Sequence, residues 1–152
     1  MQLTNIARDV LEDAEMGRRY LPTTWTGDIS PQQIVACATD PESSEAQVIT
    51  QSVQRLLKMA ERFYISGAKG FSSLHWRAHM SIAIAAKVYR QIGVQLANRG
   101  FVWYEGRQVT SRSTKLICSC KAISGLLKRI SRRKHEHNSN LHTSLRGLPY
   151  VS

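Results

Sequence analysis

With 152 residues, 42% hydrophobic and 21% charged, the chain is long enough for one domain with a buried core and has an ordinary globular composition. Three cysteines, Cys37, Cys118 and Cys120, argue against a disulfide framework by their odd count and lack of a repeated spacing. The apolar run MSIAIAAKVY is interrupted by Lys87 and is too short for a membrane span, and no charged n-region leads into an apolar signal segment. Lys and Arg number 21 against 11 Asp and Glu, a formal charge of +10. Residues 1–100 hold 11 basic and 9 acidic residues, whereas 101–152 hold 10 and 2, so the basic excess sits at the C-terminal end. Such an end attracts polyanions or an anionic surface.

In chain order the periodicity predicts helices almost throughout. Over 3–15, Leu3, Ile6, Ala7, Val10, Leu11 and Ala14 form one apolar stripe, with Gly17 as the stop. Ser30 and Pro31 open a short helix. Asp40 and Pro41 repeat that signal before a segment reaching about Ser66, and GAKGFSS breaks it. A further helix is predicted from about Ser72 to Asn98, ended by Gly100. FVWYEGRQV reads as a bend because it has no strand partner. Residues 113–130 read as helix, and 131–152 as a loose basic tail. The fold class expected is all-α.

The first segment, QLTNIARDVLEDAEMGRRYLP, concentrates the chemistry. At 100° per residue, Asn5, Asp9 and Asp13 line one helix face, with Gln2 and Glu12 beside them and the apolar stripe on another face. Like charges one turn apart repel, and a hard divalent cation relieves that repulsion. Mg²⁺ takes one or two carboxylates and leaves its other positions to water and phosphate; Mn²⁺ is the alternative. Arg8, Arg18 and Arg19 are suited to phosphate oxygens. A solvated polar face with incidental ion pairs accounts for the same spacing without a ligand.

The same stretch resembles the second aspartate-rich signature of the squalene/phytoene synthase family, Q-x-x-N-x-x-R-D-x-x-E-D followed by G-R-x-Y-L-P. Gln2, Asn5, Arg8, Asp9, Glu12, Asp13, Gly17, Arg18, Tyr20, Leu21 and Pro22 supply every element. AAKVYRQIG resembles a late helix of these enzymes, and EGRQVTSRSTKL their basic stretch, so the resemblance runs from residue 2 to about 127. It implies the C-terminal half of an isoprenoid-synthase-type helical bundle, most similar to bacterial members. It also implies head-to-head condensation of two geranylgeranyl diphosphates to phytoene through prephytoene diphosphate, in carotenoid biosynthesis. A squalene- or dehydrosqualene-type synthase is the enzymatic alternative. An inactive helical remnant with a basic lipid- or nucleic-acid-binding tail is the alternative of another class.

By motif position the resemblance makes Asp9, Asp13 and Glu12 metal-linked, with Asp9, Asp13 and Tyr89 catalytic. It places Gln2, Asn5, Arg8, Arg18, Tyr20 and Arg107 at the substrate diphosphate. The family's first acidic motif lies upstream and has no counterpart here. Residues 1–130 are therefore expected to be a partial domain whose N-terminal half is absent, with exposed apolar faces and no activity alone. The expected partners are a prenyl diphosphate, the missing half and a peripheral contact with the inner membrane from the cytoplasm, not nucleic acid. His75 and His79, one turn apart on one helix face, are expected to hold surface or packing positions rather than bind zinc, since no third ligand is near.

Overall fold

The computed structural model describes residues 1–106 together with residues 117, 140, 141 and 143. Arg107, Cys118, Cys120, the helix expected over 113–130 and nearly all of the basic tail lie outside the described residues. Among the described residues the elements are six α-helices, α1 (Gln2–Arg8), α2 (Val10–Glu15), α3 (Thr23–Thr26), α4 (Pro31–Cys37), α5 (Ser44–Gly70) and α6 (Trp76–Asn98), with a 3₁₀ turn at Phe71–Ser73. No strand occurs among them, as the all-α expectation required.

Local chemistry sets the boundaries. Ser30 caps α4: its Oγ accepts from the Gln33 N–H at 3.2 Å, and the Ser30 N–H donates to Gln33 Oε1 at 2.8 Å. This reciprocal capping box, with Pro31 at the first helical position, satisfies two otherwise orphaned groups. The long α5 starts later than Asp40–Pro41 suggests. Ser43 is its N-cap, accepting from the Ala46 N–H. At its other end α5 runs through Gly67 to Gly70, and α6 starts at Trp76 instead of Ser72. A lone glycine inside an amphipathic helix costs about 1 kcal/mol, which tertiary packing overrides.

The core lies where α5 meets the N-terminal helices. Ile49, Val53 and Leu56 of α5, Ala7 and Val10, Leu21, Ile34 of α4 and Leu96 of α6 form one buried cluster. Each fully buried aliphatic side chain contributes about 1.5–3 kcal/mol. Trp103, only 1% exposed, closes this cluster after α6, and its indole N–H donates to Thr50 Oγ1 at 3.1 Å. α3 rests on α5 through Arg55, whose guanidinium lies 4.6 Å from the Trp25 ring centroid.

α5 and α6 run antiparallel. Arg90 forks onto Glu61 at 2.6 and 2.7 Å, and Gly93 lies opposite Leu57. α1 runs antiparallel to α6: Thr4 faces Gly93, and Arg8 lies within electrostatic reach of Tyr89. A Cβ on Gly93 would stand 3.1 Å from Leu57 Cδ2 and 3.7 Å from Thr4 Cγ2, so this glycine marks the close approach of the three helices. His79 packs as expected, its Nδ1–H donating to the Phe71 carbonyl at 2.7 Å. His75 is the N-cap residue of α6 and lies outside the helix body, which corrects the reading of both histidines on one helix face.

Candidate functional site

The apolar stripe of the first segment faces the core, which turns the opposite side of α1–α2 outward as a polar ridge. The segment is not one continuous helix. It breaks at Asp9, where the backbone takes φ −102° and ψ 20°. Neighbouring residues on a regular helix point about 100° apart. Here Arg8 donates from Nε and Nη2 to the two carboxylate oxygens of Asp9, both at 2.6 Å, a geometry that goes with a departure from the regular helix. The register survives the break. The Asp9 N–H donates to the Asn5 carbonyl at 2.9 Å and the Asp13 N–H to the Asp9 carbonyl at 2.8 Å. Asn5, Asp9 and Asp13 are thus stacked one turn apart, as the spacing predicts, and all three are partly buried.

Their surroundings differ. The Asp9 carboxylate is held by Arg8, and that hydrogen bond raises the guanidinium further above its ordinary value. Burial, and then the charge of Asp9, push the Asp13 carboxyl up, while Arg18 and Arg8 pull it down. Asn5 Oδ1 is buried without a hydrogen-bond partner. A buried amide oxygen left unpaired costs about 1–3 kcal/mol, so this atom asks for a cation or a donor. Hard oxygen donors at Asn5, Asp9 and Asp13 suit Mg²⁺ or Mn²⁺. Among the described residues, however, no three His, Cys, Asp or Glu side chains converge on a common metal position. Glu12 does not complete such a set with Asp9 and Asp13.

Gly17 brings the next two candidates to the ridge. With φ 71° it ends α2 in a left-handed turn: the Gly17 N–H donates to Ala14 and the Arg18 N–H to Asp13, at 2.9 and 2.8 Å. Arg18 lies within electrostatic reach of Asp13, and with Tyr20 they border one small recess together with Ile6 and Val10. Gln2 and Tyr20 are exposed. Tyr89 approaches from α6 on the Arg8 side. Asp13, Arg18 and Tyr20 thus share one recess, and Arg8 lies within electrostatic reach of Asp9, Glu12 and Tyr89; Arg107 is outside the described residues. Arg19 is spent elsewhere. It donates to the carbonyls of Ile29 and Gly27 at 2.7 and 3.2 Å and pins the loop between α3 and α4.

One supporting pair has no signal in the spacing. Thr4, 1% exposed, meets the Tyr64 hydroxyl at 2.8 Å, tying α1 to α5 beneath the ridge. Sixty positions separate them; the only hint is that a tyrosine at the edge of an apolar stripe needs a partner for its hydroxyl. No helix among the described residues is long and apolar enough to cross a membrane.

Comparison with known proteins bears on the family. Residues 1–115 match the squalene/phytoene synthase family. The chain is 39% identical over 117 residues to the 15-cis-phytoene synthase of Enterobacter agglomerans, covering 76% of this chain and 38% of that protein. It is 38% identical over 117 residues to the 15-cis-phytoene synthase of Pantoea ananas, covering 76% and 36%. It is 37% identical over 118 residues to the phytoene synthase of Rhodobacter capsulatus, covering 76% and 33%. No solved structure matches the chain. The chain spans little more than a third of the length of these relatives. The stacked oxygens, the glycine turn that returns an arginine to them and the match over residues 1–115 all lead to one assignment: the chain belongs to the squalene/phytoene synthase family.

Proposed function

We propose that this chain carries the second acidic half-site of a prenyltransferase that joins two geranylgeranyl diphosphates head to head into phytoene, by way of prephytoene diphosphate. The observation that carries this reading is the ridge, with Asn5 Oδ1 buried and unpaired, one and two turns from the carboxylates of Asp9 and Asp13. In this reading Asn5, Asp9 and Asp13 present oxygens to Mg²⁺, or to Mn²⁺ in its place, and Glu12 stands at the margin. The metal, when bound, neutralises diphosphate charge as it departs.

The protein's own groups do the rest. Arg18, within electrostatic reach of Asp13, and Arg8, once released from Asp9, donate to phosphate oxygens. Gln2 and Tyr20 flank the same face, and Arg107 joins them from the basic stretch. Tyr89 faces the allylic end from α6, where its ring and hydroxyl dipole stabilise developing positive charge. The raised Asp13 carboxyl makes metal affinity fall as the solution is acidified through its titration, because proton and cation compete for the same oxygens.

A ridge on one wall needs an opposing one. The remaining length of a whole synthase, with the other acidic motif, is the partner this half-site requires. The basic end, residues 131–152 included, provides a peripheral contact with an anionic membrane surface that would receive an apolar product. The test is a fusion of this chain behind the corresponding N-terminal portion of the Enterobacter agglomerans relative. That fusion should form phytoene from geranylgeranyl diphosphate with Mg²⁺. Asp9→Ala and Asp13→Ala should each abolish product while circular dichroism stays unchanged. Unchanged product in both variants would remove the ridge from the chemistry. Squalene or dehydrosqualene from shorter donors, with no phytoene, would favour that neighbouring activity.

A further inference from the structure

A second feature lies away from the ridge. Along the seam of α5 and α6 runs an open groove of about 490 Å³. Leu57, Ala60, Gly93, Val94, Ala97 and Phe101 line it, with Thr4 of α1 at its wall. None of Asn5, Asp9, Asp13 or Tyr89 lines it, so it is not the diphosphate face. Lys58 and Arg62 border it from α5, and the one bordering carboxylate among the described residues, Glu61, is already paired with Arg90. Val94 in its lining is 38% exposed, and Phe63, Ile65 and Ile82, outside the lining, are also exposed on the same two helices.

We propose that this groove seats an amphipathic α-helix belonging to the part of a whole synthase that this chain does not span. The proposal rests on the reading above, that the chain works as one portion of a larger enzyme. Three observations choose this occupant. The aligned segment is under two fifths of the Enterobacter relative, so a whole synthase of that length has a large body of chain to place against this one. The groove lies between two antiparallel helices and is walled by rows four residues apart, Leu57–Glu61 and Gly93–Ala97, the relief into which a third helix fits. Its rim carries two cations, Lys58 and Arg62, beyond the Glu61–Arg90 pair, so the incoming helix presents carboxylates beside its apolar stripe.

The experiment compares the 152-residue chain with the fusion described above by amide hydrogen exchange. Docking slows exchange over 54–64 and 90–101 by about tenfold or more in the fusion, with α3 and α4 unchanged. Val94→Asp, at an exposed position, reverses that slowing, and so does Lys58→Glu with Arg62→Glu, while the unfused variants keep wild-type circular dichroism. Equal exchange with and without the fusion overturns the proposal, as does protection that both variants retain. A chain that sediments alone as a dimer, and that Val94→Asp turns into a monomer, assigns the groove to a second copy instead. Protection of the unfused chain by geranylgeraniol, a prenyl chain without diphosphate, assigns it to a lipid. Phytoene formation is read separately. A protected but inactive fusion sinks the enzymatic reading and keeps the docking one, whereas an active fusion with an unprotected groove does the reverse.

Discussion

The α1–α2 ridge and the α5–α6 pair are built on opposite principles. In the pair, local choices and packing agree. Ser43 caps α5, Ile49, Val53 and Leu56 are buried, and the cross-helix charges Glu61 and Arg90 are matched. In the ridge they conflict. The helix breaks at Asp9, Asn5 Oδ1 is buried and unpaired, and Asp13 holds its proton more tightly than an exposed carboxyl does. A protein tolerates such conflicts where a ligand resolves them. Changes to the ridge should therefore cost function and spare or improve stability, and changes to the pair should do the opposite.

Asp13→Asn tests the contrast most strongly. In the fusion it should lower the rate of product formation by about 10²–10³-fold, the usual effect of removing one preorganised electrostatic group. In the isolated chain it should raise the melting temperature at neutral pH. Because burial raises the native carboxyl above its unfolded value, the native state binds that proton more tightly. Stability therefore rises as pH falls through the native titration, and removing the charge gives the same relief at pH 7. The wild-type chain and this variant should converge in melting temperature in acid. An active, destabilised variant would break the comparison.

Trp103→Ala is the counterpart on the packed side. With its ring 1% exposed and its indole bonded to Thr50, truncation should cost about 3–5 kcal/mol in denaturant unfolding. A cost under about 1 kcal/mol would mean that the segment after α6 is not part of the cooperative unit.

What can be read from the sequence divides along the same line. The stacking of Asn5, Asp9 and Asp13 follows from a period of 3.6 residues, and it survives because the 5–9–13 backbone ladder is intact. Gly17 and Ser30 act locally, so their roles as stop and cap are legible. The break at Asp9 is not, because it goes with a side-chain pairing between Arg8 and Asp9 that periodicity does not encode. The start of α5 is ambiguous in the sequence because Asp40–Pro41 and Ser43 both have cap chemistry, and only Ser43 reaches an N–H of the helix. Thr4–Tyr64, Trp103–Thr50 and the groove arise from contacts across 60, 53 and some 36 positions, where no local rule operates.

Gly93→Ala sharpens the account of the α5–α6 seam. Alanine gains about 0.5–1 kcal/mol over glycine inside a helix. Its Cβ would crowd Leu57 Cδ2 at 3.1 Å, but Leu57 borders the groove and has room to turn away. The expected outcome in the isolated chain is a gain of about 0.5 kcal/mol in unfolding free energy. In the fusion the sign should reverse, since an occupied groove leaves Leu57 nowhere to go. A loss in the isolated chain would show that Leu57 is already fixed there.

The smallest effect is expected at Glu61→Gln. The fork to Arg90 is short, at 2.6 and 2.7 Å, but the side chains are 37% and 53% exposed, so water and salt screen the attraction. The cost should stay below about 0.5 kcal/mol at neutral pH and shrink further in about 1 M salt. Arg90 holds the Glu61 carboxyl below its ordinary value, so the native state binds that proton less tightly than the unfolded chain. The pair's contribution is therefore complete above the unfolded value near 4.5 and is lost as pH falls through the lower native one. Melting curves of the two proteins should differ slightly at neutral pH and coincide in strong acid. A cost of several kcal/mol, insensitive to salt, would mean that this edge of the groove is shielded from solvent in the chain alone, and the unfused groove could then not be the open surface described above.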